Sequence, residues 1–167
     1  MEDYVFKRRP DGLATINTNE TDAKLRLAIN FLSNYKPDEI IIACKREAGW
    51  KGLDLLGQIT GIRAFSKKYP AGVITNSNLS EFFEPSLVFV VDPWLDKAIL
   101  SDANKLNLPI ISLCDTNNIT SDLDLIVPCN NKSGKSLGLI FWIIARELIK
   151  KWNLDVKLPP VSEFTSE

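Results

Sequence analysis

Histidine is absent from the 167 residues of this chain. That one absence removes Ser-His-Asp and Cys-His catalysis, imidazole acid–base chemistry and every zinc site built on a histidine ligand. Cysteine is scarce as well: Cys44, Cys114 and Cys129 are odd in number and far apart, with no C-x-x-C pair to hold a metal or cycle a disulfide. They are expected to be small buried hydrophobes in a reducing compartment. Long apolar runs are missing too. The longest, Leu139 to Ala145, lies between Gly138 and Arg146 and falls far short of the ~20 residues of a bilayer span, so no membrane is expected. The opening Met1-Glu2-Asp3-Tyr4 is acidic where an export signal is basic, which points to the cytoplasm.

What is present is ordinary for a folded chain. Hydrophobic residues make up 45% and charged residues 25%, and the length suits one domain with its own core. Net charge is −1, without the basic excess that usually supplies nucleic-acid affinity. The distribution is less even. Lys45 to Lys68 holds six basic residues against two acids, and Cys129 to Lys151 five against one, each a balance of +4. Between them, Ser77 to Pro128 sets Lys97 and Lys105 against eight acids, so one face is expected to meet phosphate and another protein or water.

Leu25, Ala28, Ile29 and Leu32 follow helical spacing, with Thr21-Asp22 as a start signal and Pro37 past the end, predicting an amphipathic helix from Thr21 to Tyr35. The period then changes. Ile40 to Ala43, Leu87 to Val91, Ile110 to Leu113 and Leu125 to Val127 are short apolar runs expected of strands buried on both faces, and Ile62 to Phe65 is a weaker fifth. Helical spacing recurs at Leu53, Leu55, Leu56 and Ile59, and again from Leu95 to Leu106. Lys135 to Lys151 is apolar nearly all round, as a helix packed on several sides would be. The expected fold is a three-layer α/β domain over residues 1–151, with an N-terminal extension and a largely parallel sheet of about five strands. An extended tail is expected over 152–167, ordered where a neighbour holds it.

In such folds the loops at the carboxyl ends of the strands face the ligand. Asp92 and Asp115 sit at two of those ends. They suit proton transfer or metal binding in a small-molecule or nucleotide-binding enzyme, and equally suit turn and helix capping. Gly134-Lys135-Ser136 opens the last helix like the end of a phosphate loop, but Cys129 stands where that motif needs glycine. Asn130-Asn131-Lys132 offers two amides and an ammonium just before a helix N-terminus, a set suited to a phosphate backbone. The loop Pro70 to Asn76 is flanked by Lys67, Lys68 and Tyr69, basic groups beside an aromatic.

Glu84-Pro85, Val91-Asp92-Pro93 with Asp96, Leu113-Cys114-Asp115-Thr116-Asn117-Asn118, and Ile126-Val127-Pro128-Cys129-Asn130-Asn131-Lys132 occur in one order. The series resembles the small-subunit ribosomal protein S-two family, in the archaeal and eukaryotic form also called SA or laminin-receptor precursor. Lys7-Arg8-Arg9-Pro10-Asp11-Gly12-Leu13, Gly72 to Asn76 and Trp142 to Glu147 fit the same family, so the resemblance covers roughly residues 6–150. It implies a flavodoxin-like domain, a structural constituent of the small ribosomal subunit that supports translation. It also implies contacts with ribosomal RNA and neighbouring ribosomal proteins at the head–body junction, with no catalysis, cofactor or small-molecule substrate. Three positions depart from the family pattern: Ala71 intervenes before the loop glycine, Trp94 replaces an arginine, and Ser133 precedes Gly134. Joined to the charge distribution, the resemblance makes Lys45, Arg46, Lys51, Lys67, Lys68, Asn130, Asn131, Lys132 and Lys135 the expected RNA contacts, reaching phosphates without reading bases.

Overall fold

The structure, a computed structural model, describes residues 1–165. Strands β3 (Ile40–Cys44), β4 (Arg63–Ser66), β5 (Leu87–Val90), β6 (Ile110–Cys114) and β7 (Leu125–Pro128) form one parallel sheet in the order β4-β3-β5-β6-β7. Relabelled from its first member this order is 2-1-3-4-5, the flavodoxin-like arrangement. The continuous apolar runs are strands because both faces are covered: every residue of β3, β5 and β6 is buried.

Right-handed crossovers decide which face each connection takes. The chain moves one way from β3 to β4 and the other way from there on. Helix α2 (Trp50–Thr60) therefore lies on one face, while residues 67–86 and α3 (Lys97–Lys105) cover the other. Helices α1 (Thr18–Leu32) and α4 (Gly134–Lys151) join α2, and their core takes Ile40, Ile42, Leu87, Phe89, Ile111 and Leu113. The opposite core takes Ile41, Ala43, Val88, Val90 and Ile110 against Tyr69, Val73, Ile74, Ile99 and Ala103. The β6–β7 connection carries no helix, which leaves a groove of about 820 Å³ along α3.

Several boundaries differ from the sequence reading. Helix α1 starts at Thr18, because the Asn17 side chain accepts from the Asn19 N–H at 3.1 Å and caps the end three residues before Thr21. Helix α3 starts only at Lys97, since Asp92 and Pro93 hold a turn first. The N-terminal extension is an antiparallel hairpin of β1 (Val5–Arg8) and β2 (Ala14–Ile16), hydrogen-bonded as a sheet of its own.

The segment after Trp152 is not extended throughout. A one-turn helix, α5 (Val161–Phe164), docks on α2 and α4 with Phe164 fully buried, and the Trp142 Nε1–H donates to Pro159 O at 3.0 Å. Glycine makes this docking possible: a Cβ on Gly52 or Gly138 would meet the Phe164 carbonyl oxygen at 2.8 or 2.7 Å. The tail is thus held by its own domain. Ser166 and Glu167 lie outside the described residues.

Candidate nucleic-acid interface

In a parallel sheet all carboxyl ends share one edge, and a ligand crevice opens where successive strands lie on opposite sides of their predecessor. Here that point lies between β3 and β5. The crevice is closed by the chain's own groups. From the end of β3, Arg46 donates through Nε at 3.1 Å and through Nη2 to Asp92 Oδ2, at the end of β5. The Lys45 N–H donates to Asp96 Oδ1 at 3.0 Å across the same gap. Asp92 is 1% exposed, and its other oxygen accepts from the Trp94 N–H and Asn118 Nδ2.

A polar network continues along the edge. Asn118 Oδ1 accepts from the Asp115 N–H at 2.7 Å and from Asn131 Nδ2 at 3.1 Å, and Asn131 Nδ2 also donates to the carbonyls of Leu113 and Val91. Asn131 therefore stitches β5 and β6 together from the loop after β7. It is buried, with its amide turned inward, and leaves the set of groups that can reach a partner. Asp115 pairs with Lys132 Nζ at 2.8 Å. Burial pushes the Asp115 carboxyl up, but hydrogen bonds from Lys132 and Thr116 outweigh it and hold the group below its usual range. Burial pushes the Asp96 carboxyl up to about 6, against the opposing Lys45 N–H.

Both acids that could have served an enzyme are thus spent on folding contacts. The cysteines are inert for a related reason: desolvation by burial raises the Cys44 thiol to about 12 and Cys114 to about 11, and lifts Cys129 further.

The remaining cations differ in what they touch. Lys45, Lys67, Lys68, Lys132 and Lys135 are exposed along the carboxyl edge, each just after a strand or in the first turn of the following helix. Asn130 is exposed beside them, its side-chain oxygen accepting from the N–H groups of Lys132 and Ser133. Lys51 reaches the Thr165 carbonyl at 3.2 Å, and Arg46 is committed to Asp92. In the second +4 segment, Arg146 and Lys150 lie at the far end of α4, both paired with Glu147. Tyr69 is no surface aromatic: its ring is buried and its hydroxyl donates to Asp102 Oδ2.

The acidic stretch from Ser77 to Pro128 is at the surface only in part, with Glu81, Glu84, Asp122 and Asp124 exposed. Asp92, Asp96 and Asp102 are buried, holding respectively Arg46, the β3 terminus and the Tyr69–Gly72 loop. Sequence counts cannot separate such acids from solvated ones, because their partners lie 30 to 51 residues away.

A family model described as ribosomal protein S2 matches residues 80–150. The chain is 39% identical over 171 residues to a small ribosomal subunit protein uS2 of Nanoarchaeum equitans (strain Kin4-M), covering 100% of this chain and 85% of that protein. It is 38% identical to the protein of the same name from Pyrobaculum neutrophilum, covering 94% and 79%. The one from Methanococcus maripaludis (strain C6) is 38% identical, covering 92% and 70%. The matched span contains the closed crevice from Asp92 onward, the Asp115–Lys132 pair and the whole β6–β7–α4 edge, and the chain belongs to the small ribosomal subunit protein uS2 family.

Proposed function

We propose that this chain is a structural protein of the small ribosomal subunit, working in the cytoplasm as part of the translation machinery and holding ribosomal RNA and adjoining ribosomal proteins in place. The observation that carries this reading is the double character of the carboxyl edge. The crevice where a flavodoxin-like sheet takes a small ligand is filled by Arg46 and Asp92, while exposed lysines line the same edge. A switch-point crevice filled by an ion pair, on an edge lined with exposed ammonium groups, suits an extended polyanion.

Lys45, Lys67, Lys68, Lys132 and Lys135, with Asn130, form the contact set. Lysine heads meet phosphates as point charges and read no bases, so RNA shape and backbone path supply the fit. The Asp115–Lys132 pair keeps Lys132 oriented until a phosphate competes for it. The −1 net charge also limits indiscriminate binding to other nucleic acids.

Sedimentation of cell extract through a Mg²⁺-containing gradient, following this chain by mass spectrometry at rising salt, tests the reading. Comigration with the small subunit is expected, with release steepening by roughly 0.7 to 0.9 in log–log slope per neutralised phosphate. Recovery only at the top of the gradient at every salt overturns it.

A further inference from the structure

The N-terminal hairpin forms one wall of a groove whose other wall is the loops after β6 and β7, with Arg8 and Ala14 on one side and Asp115, Asn130 and Lys132 on the other, and its surface has an unusual composition. In its ladder Val5 pairs with Ile16 and Lys7 with Thr15, so two steps on β1 face one on β2 and Phe6 is the extra residue of a β-bulge. A bulge re-aims the side chain it carries. Here it turns Phe6 outward: the residue is 75% exposed, the highest value among the large hydrophobics described. Lys7, Arg8 and Arg9 follow it directly and all are exposed. Arg8 meets Glu2 at 3.0 Å in an open pair, whereas Lys7 and Arg9 have no acidic partner among the described residues. Asp11 is used locally, accepting from the Leu13 N–H. An isolated two-stranded hairpin is marginal in water, and a bulged aromatic aimed at solvent adds nothing to its stability.

A bare aromatic face beside a run of cations is the arrangement that binds unpaired nucleic acid, in which a base stacks on the ring and its flanking phosphates meet the charges. We propose that this hairpin clamps an unpaired segment of RNA, with Phe6 as the stacking platform and Lys7, Arg8 and Arg9 as the phosphate contacts. This rests on the ribosomal reading and names a second contact, across the groove from Asn130 and Lys132 and distinct in RNA class from the lysine edge. A duplex hides its base faces, so the clamp discriminates by strandedness. The Glu2 carboxylate yields Arg8 readily because both partners are exposed.

Two measurements on the full chain test it. In the first, the binding of a labelled twelve-nucleotide single-stranded RNA and of the corresponding duplex is compared for the unaltered chain and for Phe6→Ala, Phe6→Trp and the triple Lys7→Gln, Arg8→Gln, Arg9→Gln variant. Phe6→Ala is expected to weaken single-strand binding about five- to hundredfold, in line with a stacked base, and to leave duplex binding unchanged. Phe6→Trp is expected to retain the affinity and to lose its added fluorescence on binding. The triple variant is expected to flatten the salt slope by about 2 for single strands. Equal losses for single strand and duplex with Phe6→Ala, or none for either, overturn the proposal.

The second measurement is ultraviolet crosslinking of purified small subunits that contain the chain, followed by peptide mapping. An RNA adduct on the peptide bearing Phe6 is expected. A chain that comigrates with the subunit but crosslinks there to a protein, or not at all, overturns the clamp and leaves the ribosomal reading standing. A chain that never comigrates overturns the ribosomal reading and with it the clamp.

Discussion

Two ion pairs occupy the same edge of the same sheet and answer different needs. Arg46–Asp92 sits at the switch between β3 and β5, with its carboxylate 1% exposed and its guanidinium 25% exposed. Lys132–Asp115 sits at the β6–β7 end, with values of 15% for the acid and 51% for the base. Depth of the carboxylate, more than the presence of a pair, decides what the cation can do. An uncompensated buried charge costs several kcal/mol, so Arg46 cannot leave Asp92 for another anion. A half-exposed ammonium has little to lose, and Lys132 can exchange its partner for a phosphate at small cost.

The contrast can be broken most forcefully at Arg46. Arg46→Met leaves Asp92 buried with only the Trp94 N–H and the Asn118 amide as donors. Urea unfolding is expected to show a loss of about 3 to 5 kcal/mol. Adding Asp92→Asn should recover most of it, because the orphaned charge disappears. A loss no larger than that of Lys132→Ala would erase the distinction between the two pairs.

Asp96, beside the deeper pair, provides a test by pH. Its carboxyl is raised to about 6, so between the ordinary carboxylate range and 6 the folded chain holds more protons than the unfolded one. Stability from this group therefore falls as pH rises through that window and stays low above it. Relative to Asp96→Asn, the unaltered chain is expected to lose about 3 kcal/mol between pH 3 and pH 7. Parallel curves of unfolding free energy against pH for the two proteins would refute that sign and the burial behind it.

Parts of this were legible in the sequence and parts were not, for physical reasons. The strands could be read because burial on both faces leaves unbroken apolar runs such as Ile40-Ile41-Ile42-Ala43, and α4 because its apolar positions surround the helix. Those signals are local. The hairpin escaped because four- and three-residue strands carry too few side chains to establish a period, although Asp11-Gly12 marks its turn. The start of α1 escaped because Asn17 lies well before the first buried position, Leu25. At the edge, residue types showed which groups could bind phosphate, but not which of them the fold would claim for itself. Arg46 and Asn131 look like contact residues in a linear reading, and only bonds spanning 18 to 46 residues turn them inward.

Asn131 offers a third test, smaller than the first two. Asn131→Ala removes a side-chain amide that reaches two carbonyls and Asn118, leaving those acceptors short of a donor inside the domain. About 2 kcal/mol of stability is expected to be lost, and hydrogen exchange should accelerate in the loops after β5 and β6 before it does in β3. An Asn131→Asp variant that binds RNA less well at unchanged stability would return the residue to the contact set.

The smallest expected change in stability is also the one that separates the two pairs by function. Lys132→Ala removes an exposed ammonium, and Asp115 keeps the N–H and hydroxyl of Thr116 as donors, so unfolding should move by less than about 1 kcal/mol. Incorporation into subunits, measured in competition with the unaltered chain, is nevertheless expected to fall, and the salt slope of release to become shallower by roughly 0.7 to 0.9. Lys132→Arg should restore much of the slope, because the charge is what the phosphate meets. Unchanged incorporation under competition would remove Lys132 from the interface and leave its pair with Asp115 a loop contact. A large loss of stability would instead make Lys132 a second Arg46, and the depth of the carboxylate would no longer predict which cations the fold leaves free.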